Sequence, residues 1–106
     1  MIKVRSIFAN VAAGTTDQLL TTITTPDGHS YNYKEIGFNL ADDTTISVYV
    51  EDEHVITYQR DGDEDLRRVV INWDVKPGLE VRVYASNASG GALDCGATLV
   101  YDDVEG

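Results

Sequence analysis

The sequence contains one cysteine, two prolines, one tryptophan and three lysines in 106 residues. A single thiol, Cys95, closes no internal disulfide, so no disulfide framework holds the fold. No run of about 18 apolar residues occurs, so the chain offers no membrane-spanning helix. The opening Met1-Ile2-Lys3-Val4-Arg5 alternates charge with apolar side chains and lacks the unbroken apolar stretch of a secretory signal. No helical period persists beyond one turn. There is no Gly-x-Ser-x-Gly elbow, and Ser89-Gly90-Gly91 lacks the lysine and the helix of a phosphate loop. The two histidines, His29 and His54, follow turns and belong to no spaced metal motif. Asp94 and Gly96 give Cys95 no positive neighbour to lower its pKa, so it reads as a buried or partner-facing thiol rather than a nucleophile. Carboxylates abound, but a glycosidase needs two converging in a cleft, and a domain this small has little cleft. The chain is expected to be non-enzymatic, with no cofactor.

Positive charge is also scarce. Lys plus Arg number 8 against 18 for Asp plus Glu, a net charge of −10. That excludes unaided binding to a nucleic-acid backbone, which needs a basic stripe, and argues against docking on an anionic membrane. Asp outnumbers Glu twelve to six. Acidity of this Asp-rich, Lys-poor kind resembles that of halophilic proteins. In dilute buffer so many like charges repel one another and weaken the compact state. At 1 M salt the Debye length falls to about 3 Å and the repulsion is screened.

What the sequence does have is β-forming residues. Val, Ile, Thr, Tyr, Phe and Trp supply 38 of the 106 positions. Period-two alternation is clearest in Leu79-Glu80-Val81-Arg82-Val83-Tyr84-Ala85 and recurs in Ile46-Ser47-Val48-Tyr49-Val50. Val55 to Tyr58, Val69 to Trp73, Ile2 to Phe8, Gln18 to Thr24, Ser30 to Phe38 and Ala97 to Tyr101 complete about eight strands. Thr25-Pro26-Asp27-Gly28 suits a type I turn, and Lys76-Pro77-Gly78 a type II turn. Asp61 to Asp65 and Ser86 to Gly91 read as loops. Strands at this spacing, separated by turn signals, predict one antiparallel β-sandwich over residues 1–106. A jelly roll of about eight strands is the first choice and an immunoglobulin-like sandwich the second.

Three sets of residues are candidates for function. Asp61, Asp63 and Asp65 alternate in a loop and could give several of the oxygens that Ca²⁺ or another cation requires, although the twelve-residue calcium-loop layout is missing. Asn87-Ala88-Ser89 is an Asn-x-Ser acceptor for glycosylation on a predicted loop. Tyr31, Tyr33, Tyr49, Tyr58 and Tyr84 are expected on outward strand faces, where a tyrosine can anchor a subunit interface or stack on a sugar. Trp73, preceded by Val69, Val70 and Ile71, is expected in the core.

Val69 to Trp73, then Lys76-Pro77-Gly78, Leu79 to Ala85, Ser86 to Gly91 and Ala97 to Tyr101 form a strand, a Pro-Gly turn, an alternating strand, a small-residue loop and a closing strand. Over about 35 residues this arrangement resembles the small sandwich proteins of tailed-virus particles, of the capsid-decoration, turret and fibre-head type. With the halophile-like charge, the likeness extends to a virion protein of a haloarchaeal virus. The resemblance implies a structural protein on the virion surface that forms trimers, pentamers or hexamers and attaches to a larger shell or tail protein. Starting at Met1 and ending at Gly106, the chain reads as a whole gene product. The alternative expectation is an extracellular carbohydrate- or surface-binding module with a glycan partner.

Overall fold

The protein is described here by a computed structural model covering residues 1–40, 43–59 and 68–105. The described residues contain eight strands: β1 (Ile2–Val11), β2 (Gln18–Thr24), β3 (His29–Asn39), β4 (Thr44–Val50), β5 (Glu53–Gln59), β6 (Arg68–Val75), β7 (Glu80–Asn87) and β8 (Leu93–Glu105). They form two antiparallel four-stranded sheets, ordered β1-β8-β3-β6 and β2-β7-β4-β5. This strand order is that of a jelly roll. An immunoglobulin-like sandwich is excluded, because it would keep β1 and β2 paired in one sheet, whereas here they lie in opposite sheets.

The core lies between the sheets. β7 alternates strictly, with Val81, Val83, Ala85 and Asn87 buried and Glu80, Arg82, Tyr84 and Ser86 turned outward. Ile46 and Val48 of β4 pair with Ala85 and Val83 and share their inner face. Across the gap stand Ile36 and Phe38 of β3 and Cys95, Ala97 and Leu99 of β8. Burying each Val, Leu or Ile side chain stabilises the fold by roughly 1.5–3 kcal/mol. Trp73 packs half-buried against this core.

Two bulges decide which residues face it. On β3 the pairing shifts between Tyr33 and Glu35 against both neighbours, β6 and β8. Against β8, Lys34 is the extra residue, and Tyr31 and Tyr33 point to the same inner side as Ile36 and Phe38. On β5, Tyr49 pairs with His54 and Val48 with Ile56, which leaves Val55 unpaired and turns Ile56 and Tyr58 inward.

The turns hold the sheets together. Lys76-Pro77-Gly78 closes through Leu79 N–H to the Lys76 carbonyl at 3.2 Å, with Gly78 at φ 86°, the left-handed position of a type II turn. The Pro26 turn differs from expectation. Its bond runs from His29 N–H to the Pro26 carbonyl, so the turn is shifted by one residue and Gly28, at φ 80°, occupies the left-handed site. The two turns bond to one another, Gly78 N–H to Thr25 O at 2.8 Å and Thr25 N–H to Leu79 O at 3.0 Å.

The sheets are unequal. β1, β3 and β8 have 10, 11 and 13 residues, while among the described residues no strand of the second sheet exceeds 8. The first sheet therefore projects past the second in a body measuring 47 × 23 × 19 Å. Acidic residues disguised the length of β8 in the sequence. Asp102 accepts from the Met1 ammonium at 2.9 Å, and Asp103 is held by Lys3 and His29.

Candidate functional site

The outward side chains of the second sheet gather at one place. Tyr84 of β7 pairs with Ser47 of β4, and Tyr49 of β4 with Arg82 of β7, so the two tyrosines are diagonal neighbours. Their rings are perpendicular, with centroids 5.5 Å apart. His54 sets its ring 5.1 Å from Tyr49, and its Nε2 lies 2.6 Å from Thr57 Oγ1. Beside the rings is a shallow pocket of about 190 Å³ lined by Asp17, Tyr49, Glu51, Asp52, Arg82 and Tyr84. The Arg82 guanidinium donates to Glu80 Oε2 from Nη2 at 2.8 Å and from Nε at 3.2 Å. The Glu80 hydrogen bond raises the arginine's already high pKa, so its charge is permanent. Glu51 uses Oε1 to accept from the Glu80 backbone N–H at 2.9 Å. Asp17 and Glu51 are non-glycine residues at positive φ, 52° and 54°, a backbone cost of roughly 1–3 kcal/mol each.

The outer face of the first sheet has a different character. In β1 the alternation is the reverse of the usual one: Ile2, Val4 and Phe8 point to solvent, 58%, 62% and 61% exposed. Lys3 and Arg5 share the inner side of the projecting sheet with Ile7 and Ala9, opposite Tyr101 and Leu99. Following the register across the sheet, Val4 is beside Val100, then Glu35, then Val70, which is 77% exposed. The next row holds Ser6, Thr98, Gly37 and Arg68, and the row after it Phe8, Gly96 and Asn39. A hollow of about 330 Å³ lies among Val4, Phe8, Val100, Thr98 and Gly37. Among the described residues, the charges in these three rows are Glu35 and Arg68, which approach to 3.8 Å and offset each other.

At the projecting end, Asp103 accepts from Lys3 Nζ at 2.9 Å and contacts His29 Nδ1 at 2.7 Å, linking β1, β8 and β3. These two partners, Lys3 first, hold its carboxyl below the ordinary carboxylate range. Asp102 and Asp103 are successive residues of β8 and face opposite ways, so they do not converge on one ion.

The sequence-derived candidates fare differently. Asp61, Asp63 and Asp65 lie outside the described residues. Among the described residues no group of three or more His, Cys, Asp or Glu is placed to hold a metal ion. Asn87 is fully buried, not displayed on a loop. Its Nδ2 donates to Val11 O at 2.8 Å and Gly91 O at 2.9 Å, and its Oδ1 accepts from Ser89 N–H and Oγ–H. Every hydrogen-bonding position of the amide is taken, so the folded protein presents no acceptor nitrogen for a glycan. The expectation of outward tyrosines is corrected for three of five. Tyr31 and Tyr33, 8% and 0% exposed, pack with tilted rings against Tyr101 at 4.7 and 5.2 Å inside the sandwich. Tyr58 stacks on Phe38 at 4.9 Å on the inner face. Tyr49 and Tyr84 do face outward, and the structure brings them together.

The apolar face of the first sheet was not anticipated. A signal was present in Ile2-Lys3-Val4-Arg5, where either alternate set can face out. Only the β1 register with β8 assigns the apolar set to solvent.

Together these features define an acidic jelly-roll domain with one apolar and one aromatic–polar outer face. Compared with known proteins, the chain matches no family model, no curated protein and no solved structure.

Proposed function

We propose that this is a non-enzymatic structural protein that associates with copies of itself through the outer face of the first sheet. The observation that carries the reading is the band formed by Val4, Phe8, Val70 and Val100. One face of an antiparallel sheet normally meets water with polar side chains, and a contiguous apolar patch marks a contact surface. On a chain of net charge −10 the described residues at the centre of this band balance, Glu35 being offset by Arg68. Asp74, Asp94 and Asp102 stand around the band. Their mutual repulsion would oppose association at low ionic strength and be screened at high salt. With about 3.4 Å per residue and about 4.8 Å between strands, the face measures roughly 34 by 19 Å. That is about 650 Å² for the whole face, at the low end of the range for a stable interface. β1 is also an edge strand of ten residues, whose free backbone groups are a template for a neighbour.

The setting we propose is a virion surface, as decoration of a capsid or tail. Support comes from the resemblance of the C-terminal half and from jelly rolls being common in capsid proteins, which is an analogy of fold. Sedimentation velocity of Phe8→Asp and Val4→Asp tests the self-association. Both substitutions fall on exposed side chains, so each variant is expected to stay folded and become monomeric. A variant that sediments as the parent oligomer contradicts the reading.

A further inference from the structure

We infer that the pocket on the outer face of the second sheet, between Tyr49, Tyr84 and Arg82, binds a neutral saccharide. The argument proceeds by the chemistry of the lining. An anionic ligand is disfavoured, because Asp17, Glu51, Asp52 and Glu80 surround one guanidinium. A cationic ligand must sit against the fixed guanidinium of Arg82, which Glu80 holds at 2.8 Å and Asp52 approaches to 3.7 Å. A neutral polyol meets neither obstacle. Its hydroxyls donate to the carboxylate oxygens of Asp17 and Asp52 and accept from Arg82, while the electron-rich ring faces attract the C–H side of a sugar ring.

The framework suits such a ligand. Tyr49 and Tyr84 are half-buried and brace each other edge to face at 5.5 Å, so ordering them on binding costs little. Asp17 is anchored from the preceding loop by its backbone N–H to Ser86 Oγ at 2.8 Å. Leu19, 50% exposed, pairs with Tyr84 and extends the apolar platform along β2. A pocket of about 190 Å³ is below the ~300 Å³ at which drug-sized sites begin. It accommodates a single sugar ring, and single-ring affinity is expected in the millimolar range. The pocket lies on the opposite sheet from the self-association face. An assembly that buries the first face leaves this one outward on every copy, and repetition raises the effective affinity for a multivalent glycan.

Saturation-transfer NMR is the test, because it reads the ligand and works for a monomer or a large assembly alike. The probes are methyl glycosides of glucose, galactose, mannose, fucose and N-acetylglucosamine, with choline and glucuronate as the cationic and anionic comparisons. The expected result is saturable transfer to at least one neutral glycoside, weakened about tenfold or more by Tyr84→Ala and by Asp52→Asn. Asp52 is fully solvent-exposed, so its variant keeps the fold even if Tyr84→Ala does not. The inference is overturned if no neutral glycoside receives transfer, if choline or glucuronate binds more tightly, or if Asp52→Asn binds like the parent.

Discussion

The ring of Phe8 lies across the bare backbone of Gly96. The two residues are direct partners in the β1–β8 ladder, and a β-carbon at position 96 would run into the Phe8 ring and the Ile7 carbonyl. Glycine at this position thus lets an aromatic ring lie down on the sheet, where it contributes to a smooth apolar surface. Gly96→Ala should lift the ring or part the strands, with a loss of about 1–3 kcal/mol typical of overpacking. Urea unfolding of the variant measures the loss, and unchanged stability would mean that the ring moves aside without cost.

Asn87 fastens the two sheets by its bond to Val11 O on β1. Removing the amide leaves the buried Val11 carbonyl without this donor. Asn87→Ala should destabilise the fold by roughly 2–3 kcal/mol, the cost of buried groups left unpaired. Ser89→Ala removes the acceptor motif and keeps the Val11 bond, and should cost less. Equal losses from the two substitutions would contradict the bracing role.

Acid should loosen the projecting end first. Asp103 has a folded pKa below the 3.8 of a free aspartate, because Lys3 and His29 bind its charged form. A depressed carboxylate contributes stability that is fully present above the unfolded pKa and is lost as pH falls through the folded one. The parent protein should therefore lose stability below about pH 4 more steeply than Asp103→Asn. Thermal melts from neutral pH down to pH 2 report the difference, and parallel curves would remove Asp103 from the account.

Cys95 should be inert in the native state. It is 2% exposed, and burial raises its thiol pKa, with Asp94 adding a smaller push in the same direction. A thiol reagent should label it only on unfolding, since the thiolate is the reactive form. Stoichiometric labelling of the folded protein at neutral pH would contradict its position between the sheets.

The fold was largely legible in the sequence because eight turn-bounded runs of β-forming residues leave few alternatives to a sandwich, and β2 begins and ends where expected. The facing of the side chains was less so. Tyr31 and Tyr33 face inward because Lys34 is bulged, and Tyr58 because Val55 is. A bulge inserts one residue into a period of two and carries no reliable sequence signal, yet it reverses every side chain beyond it. Asn87 was misread for a related reason. A polar residue beside small ones suggests a loop, but here it satisfies backbone groups where two sheets meet. The ring contact of Tyr49 with Tyr84 joins strands about 35 positions apart in the chain, which local alternation does not reveal.

The most direct test of self-association is the light-scattering mass of the parent protein after size exclusion, at low salt and at molar KCl. The apolar band on the first sheet and the acidic residues around it predict a discrete oligomer whose population rises with salt. A folded monomer at both salts would contradict the account. The band around Val4, Phe8, Val70 and Val100 would then not be a self-association face.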